Sequence, residues 1–256
     1  MGLVGDVHGS LGTIVRAVRR LAHQNIDTIH FLGDFGMPWD DRDAQRWMLD
    51  YVSDKLTEHG SQALVTGGNH ENYDEWAKIP ADAADIRHVR ENIAFLPRGW
   101  RAVSLGGTVV ASFGGANFVD MPGRVRGNLG WWPAEQITEE DLAALGTANV
   151  DILLGHDAPM PVELQDRLAK QSHFWDPAGL AYAERGQSMF QRAVEQVRPT
   201  LTVSGHYHLH LDVLARFEGS DRIPFDTRVI VLNADGHPPT LAVLNVDEQV
   251  ITYPVF

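Results

Sequence analysis

The chain has 256 residues, 44% hydrophobic and 21% charged, the balance of a soluble protein with a sizeable buried core. Its 34 acidic against 21 basic residues give a formal net charge of -13, a field that repels duplex nucleic acid and anionic membrane, although bound divalent cations would still admit a small phosphorylated ligand. With no cysteine, disulfides, thiolate nucleophiles and sulfur-ligated metals are excluded together, so any metal here sits among nitrogen and oxygen donors.

The opening stretch MGLVGDVHGS has neither the cationic start and long apolar core of a secretory signal nor the Ser or Thr of a myristoylation motif. No apolar run approaches the roughly 20 residues of a membrane span, and a cytoplasmic protein is expected. A very short strand at Leu3-Val4 precedes a helix in SLGTIVRAVRRLAHQN, where Leu11, Ile14, Val15, Val18, Leu21 and Ala22 share one face and Ser10 is the N-cap. DTIHFLGD reads as a buried strand, DAQRWMLDYVSDKLTEHG as an amphipathic helix stopped by Gly60, and SQALVTGGN as another strand. Such alternation is what an α/β layered sheet requires. Strands at RAVSLGG and TVVASFGG lead into a looped insertion around 117–135, GANFVDMPGRVRGNLGWWP, rich in Gly, Trp and Pro. TEEDLAAL is a helix opened by a Thr138/Asp141 capping box, NVDILLGHD a strand, PAGLAYAERGQSMFQRAVEQV mostly helix, and TLTVSGHYH a strand. The segments LDVLARF, TRVIVLNAD, TLAVLNV and VITYPV read as consecutive antiparallel strands. There is no repeat, low-complexity segment or charged linker, so one domain over residues 1–256 is expected.

Five of these strands end alike. LVGD stops at Asp6, HFLGD at Asp34, VTGGN at Asn69, ILLGH at His156 and VSGH at His206, each a β-forming run that meets glycine and then a potential metal ligand. Glycine lets the chain turn sharply and aim the next side chain over the sheet edge, and the C-terminal ends of strands are where α/β sheets bind ligands. GDVH adds His8 two residues after Asp6, and GHYH adds His208 two after His206; strand alternation would bring each pair to one face. Singly, such residues are more often solvated turn or hydrogen-bonded edge residues. Together they offer two carboxylates, one amide and four imidazoles, a donor set for manganese, iron, zinc or nickel that is too large for one tetrahedral ion and fills two sites if a carboxylate bridges them.

The ordered set GDVHG, GDFG, GGNHE, GHDAP and GHYH, from Asp6 to His208, resembles the signature of the calcineurin-like metallophosphoesterase superfamily, in the style of its small bacterial and phage phosphoesterases. The resemblance implies an α/β fold of two packed mixed β-sheets flanked by α-helices. It also implies two divalent ions, manganese first, with Asp6, His8 and His208 on one, Asn69, His156 and His206 on the other, and Asp34 bridging. Two such ions about 3.5–4 Å apart can share a hydroxide and clamp the phosphoryl oxygens while it attacks, so no side-chain nucleophile is needed. His70 resembles the family histidine that protonates the leaving oxygen or stabilises its charge.

The protein serine/threonine phosphatase branch carries an Asp-Arg pair in its second block and an Arg before its Asn-His-Glu, where this chain has GDFGMPWD and TGGNHE. That departure favours small phosphodiesters such as cyclic nucleotides over phosphoproteins, with a phosphoprotein phosphatase or general phosphomonoesterase as the runner-up and a non-catalytic scaffold of the same fold as the rival from another class. Arg124 or Arg126 could replace the lost arginines, with Trp131 or Trp132 stacking on a base or ribose; the plainer reading is a surface loop pinned by packed tryptophans. His210 repeats the two-residue spacing without a family counterpart and reads as a sheet-face histidine. His23, His30, His59, His88, His173 and His237 read as structural or surface residues.

Overall fold

A computed structural model describes residues 1–36 and 42–254. The stretch MPWD, which distinguishes the second block from the phosphatase branch, lies outside the described residues, as does Val255 of the last expected strand.

In chain order the elements are β1 Gly2–Val4, α1 Leu11–Ala22, β2 Thr28–Phe31, α2 Arg42–Glu58, β3 Gln62–Val65, α3 Tyr73–Trp76, β4 Arg87–Arg90, β5 Ile93–Phe95, β6 Trp100–Val103 and β7 Val109–Phe113. There follow α4 Met121–Gly127, α5 Glu139–Leu145, β8 Ile152–Gly155, α6 Val162–Ala169, α7 Pro177–Val197, β9 Leu201–Ser204, β10 Leu211–Glu218, β11 Pro224–Val231, β12 Leu241–Asn245 and β13 Val250–Thr252. They build two mixed sheets, ordered β13-β12-β1-β2-β3-β5-β4 and β10-β11-β9-β8-β7-β6. Each has a parallel centre: β1, β2, β3 and β5 in one, β7, β8, β9 and β11 in the other, with antiparallel strands at the margins.

Side-chain alternation explains how the sheets pack. Leu3 and Leu32 join Ile152, Leu154, Val203 and Leu232 in a core between the two sheets. Val4 and Phe31, on the opposite face, meet Ile14, Val18 and Leu21 of α1 and Val52 and Leu56 of α2. On the far side Phe113 and Leu153 pack on Phe190, Val194 and Val197 of α7 and on Leu142 and Leu145 of α5. The result is a helix-sheet-sheet-helix sandwich, in which each fully buried Leu, Ile or Phe contributes about 1.5–3 kcal/mol of burial. Among the described residues no helix is long and apolar enough to cross a membrane.

Two expectations change. The last four segments are strands and pair antiparallel in two consecutive couples, β10 with β11 and β12 with β13, but not as one run: β11 pairs in parallel with β9 on its other side, whereas β12 crosses to the other sheet and pairs antiparallel with β1. Alternating hydrophobicity fixes which face of a strand is buried, not which neighbour it pairs with. The looped insertion contains a helix, α4, opened by Pro122, tied by the Arg124 to Asp120 ion pair at 2.7 Å, and ended by Asn128 in the left-handed conformation at φ 51°. The hairpin of β4 and β5 carries little sequence signal, because RHVR is polar and the apolar run behind it is only three residues long.

Candidate metal centre

The segments that follow β1, β2, β3, β8 and β9 carry, respectively, Asp6 and His8; Asp34; Asn69 and His70; His156; and His206 and His208. Strand order sets the first three segments side by side at the C-terminal ends of one sheet's parallel strands and the last two side by side in the other, and contacts such as His206 N–H to Asp6 and His156 to Asp34 join the two sets into one rim of the sandwich. Backbone hydrogen bonds lock the loops together: His8 N–H donates to Asp34 O at 2.8 Å and Gly205 N–H to His156 O at 3.1 Å.

Strand alternation, however, is not what brings the paired residues together. The strands end at Val4 and Ser204, and His8, His206 and His208 have φ of 45°, 72° and 49°. Asp34 joins them at 48°. Non-glycine residues rarely sit in this left-handed region, and when they do the surrounding structure has to hold them there. Two glycines show how tightly the rim is built. A Cβ on Gly33, whose φ is +92°, would lie 2.2 Å from His156 Nδ1, and one on Gly68 would lie 2.3 Å from Asp34 Oδ1.

Three overlapping groups could each hold an ion: Asp6, His8 and His208; His8, Asp34 and His70; and Asp6, Asp34 and His156, with ligand atoms within 4.8 Å of one another. Asp34 Oδ2 lies 3.4 Å from His8 Nε2, and Asp34 Oδ1 lies 3.2 Å from His156 Nε2. Asp6 Oδ2 is 3.4 Å from His208 Nε2. Both carboxylates are oriented by the backbone, Asp34 Oδ1 accepting N–H bonds from Asn69 and His70 at 2.9 Å and Asp6 Oδ2 one from His206 at 2.9 Å. Asn69 and His206 complete the cluster: Asn69 Oδ1 is 3.0 Å from His156 Nε2, and the His206 ring centroid is 4.9 Å from that of His156.

The donor chemistry fits a cation. His156 Nδ1–H donates to Leu32 O at 2.8 Å, which leaves a lone pair on Nε2 facing the oxygens of Asn69 and Asp34. Three electron-pair donors cannot converge in this way unless a proton or a metal ion lies among them. Burial disfavours a charged His156, yet Asp34 and Asp6 draw a proton onto it and raise its pKa to about 10. Burial also works against Asp34, but the neighbouring imidazoles of His156 and His70 hold its carboxyl well below the usual range. His206 Nδ1 is buried with no hydrogen-bond partner among the described residues, an orphan that a metal would satisfy.

His70 lies at the edge, its Nε2 3.9 Å from Asp34 Oδ2. Burial, reinforced by the Arg124 guanidinium, lowers its pKa to about 4. Arg124 is itself buried: Nη2 is 2.7 Å from His70 Nε2, Nη1 donates to Asn69 O at 3.3 Å, and Nε is paired with Asp120. Arg126 stands apart, solvent-exposed and 3.9 Å from Asp176. Trp131 donates from Nε1 to Tyr182 Oη at 3.1 Å, while Trp131 and Trp132 also line, with Arg124 and Lys78, a groove of about 450 Å³. His210 binds Val231 O through Nδ1 at 3.0 Å and packs edge-on against Tyr253, apart from the cluster.

Two contributors escape sequence reasoning. Glu71, fully buried, accepts N–H bonds from Gly36 and Gly68 and so ties the second block to the third; burial and the nearby Asp34 raise its pKa to about 7. Its signal is the last letter of GGNHE. Phe118, on the loop after β7, places its ring 5.8 Å from both His70 and His206, and nothing in its sequence surroundings marks it.

The family model for calcineurin-like phosphoesterases matches residues 1–210, a span that holds every residue of the cluster. No curated protein sequence matches the chain. Among solved structures, Thermus thermophilus protein TT1561 is similar over 98% of this chain and 96% of its own, at 16% identity and a TM-score of 0.54. A dimetal phosphatase from Danio rerio is similar over 95% and 91%, at 12% identity and a TM-score of 0.50. At those identities the likeness is one of fold, and it agrees with the two-sheet sandwich described above. With most of its length matched by the family model, the chain belongs to the calcineurin-like phosphoesterase family of metal-dependent phosphoester hydrolases.

Proposed function

We propose that the protein hydrolyses small phosphodiesters, cyclic nucleotides among them, using two divalent ions held at this rim. Asp6, His8 and His208 would hold the first ion and Asn69, His156 and His206 the second, with Asp34 between them. The observation that carries this reading is the division of labour within Asp34, whose Oδ2 faces His8 and whose Oδ1 faces His156. When bound, the ions supply Lewis acidity and an activated water near neutral pH; manganese is the metal we favour for this mix of carboxylate, amide and imidazole, ahead of iron, zinc or nickel.

The chain's own residues supply positioning and the leaving-group contact. Arg124, fixed by Asp120, presents a guanidinium beside His70, where it can meet a phosphoryl oxygen. While its ring accepts from Arg124 Nη2, which lies 2.7 Å from Nε2 and 3.4 Å from Nδ1, the His70 imidazole is neutral and keeps one N–H. That N–H is then the donor that stabilises charge on the departing oxygen. Glu71 and the Tyr73 hydroxyl, which donates to Gly68 O at 2.6 Å, hold the Asn69-His70 loop in place.

A panel of aryl monoesters, bis-aryl diesters, 2′,3′-cyclic nucleotides and phosphopeptides, assayed with the manganese-loaded protein, tests the reading. Diester turnover should exceed the rest. Preference for phosphopeptides would replace the substrate class, and no turnover with any divalent metal would favour a scaffold.

A further inference from the structure

We infer that Phe118 and Trp175 form the seat of the organic group that a diester keeps on phosphorus when its leaving group departs, and select esters in which that retained group carries a flat ring such as a nucleobase. The inference rests on the phosphoesterase reading of the rim. Phe118 walls one side of the cluster, its ring centroid 5.8 Å from both His70 and His206. Arg124 covers another side of that ring, its guanidinium carbon 4.8 Å from the centroid. Trp175 continues outward, 6.5 Å from Phe118 and 41% exposed, and its neighbour in sequence, Phe174, is 74% exposed. A single exposed aromatic needs no explanation. Here the rings run without interruption from two imidazoles of the cluster into solvent, and neither Trp175 nor Phe174 belongs to any of the buried cores. An uncharged aromatic ledge leading off a charged centre suits a ligand with a phosphoryl end and a planar apolar end. Trp131, by contrast, is pinned by its hydrogen bond to Tyr182.

The test uses two diesters with the same p-nitrophenyl leaving group, thymidine 5′-(p-nitrophenyl) phosphate and methyl p-nitrophenyl phosphate, and the manganese-loaded enzyme. The native protein should prefer the nucleoside ester. Trp175→Ala should lower kcat/KM for that ester about 10-fold through KM, within the range that base stacking on an aromatic side chain provides, and leave kcat and the methyl ester unchanged. Trp175→Tyr should restore most of the loss. Equal losses on both esters, or no loss on either, would overturn the inference, the second outcome pointing to a protein partner on the ledge. A selective loss in Trp132→Ala instead would move the seat to the groove beside Arg124. Turnover of neither ester by the native protein would overturn the phosphoesterase reading itself, and the inference with it.

Discussion

Replacing Gly68 by Ala isolates the geometry of the centre from its chemistry, because no ligand is removed and the backbone at Gly68 lies outside the left-handed region. The added Cβ would lie 2.3 Å from Asp34 Oδ1, 2.4 Å from Asp34 N and 2.9 Å from His156 Nε2. A carboxylate can rotate away; a backbone nitrogen cannot. The loop is held from both sides, its N–H by Glu71 and its carbonyl by Tyr73, so Asp34 or Gly68 must retreat by about 1 Å to reach ordinary contact. Overpacking of that size costs about 1–3 kcal/mol of stability, and a 1 Å misplacement of reacting groups about 10²-fold in rate. Gly60→Ala is the matched control: Gly60 sits at φ +62° with nothing within 4 Å of the position its new methyl group would take, so it should lose about 1 kcal/mol and no activity. Thermal melts, metal content by plasma emission and kcat/KM on a p-nitrophenyl diester would be measured for both. If Gly68→Ala kept full metal content and activity within about threefold of native, the close packing around Asp34 would not be what sets the site, against the 10²-fold expected.

His206→Ala and His208→Ala should each lower bound metal, while His210→Ala should leave it unchanged; equal damage from His210 would mean the ligands are misassigned. His70→Ala should slow esters with poor leaving groups by about 10²–10⁴-fold and nitrophenyl esters less, and an equal loss across a leaving-group series would assign His70 to phosphate positioning instead. Burial raises the pKa of Glu135 to about 8, against the bonds it receives from Tyr182 and the Phe118 N–H. The folded state therefore keeps this proton while the unfolded chain loses it above about pH 4.5, so this residue's contribution to stability falls as pH rises through that window and levels off near pH 8. Glu135→Gln should melt higher than the native protein by a margin that widens from pH 5 to pH 8, and a constant margin would show that Glu135 is already ionised in the fold.

Much of the rim is legible because each block is local: a β-forming run, a glycine, then a polar residue, with the packing reason for the glycine visible at Gly33 and Gly68. What brings Asp6 to His8, and His206 to His208, is not the strand alternation their spacing suggests, since a run such as VSGHYHLH gives no sign that the strand stops at Ser204 and that both histidines turn left-handed. The parallel centres of the sheets follow from the alternation of strand and helix. The crossing of β12 to β1 does not, being decided by long-range packing of Leu241, Ala242 and Leu244. Glu71 and Phe118 act through contacts across the chain, with Gly36 in one case and His206 in the other, and no spacing rule in a single segment encodes such meetings.

The central claim is that two ions, not one, work at this rim with Asp34 between them. Titrating metal-stripped protein with manganese while following diester turnover tests it most directly. Activity should rise to a plateau at two equivalents per chain in the native protein and fail to develop in Asp34→Asn, whose bridge has lost its charge. A plateau at one equivalent, or an Asp34→Asn variant that reaches native turnover at two, would contradict the account.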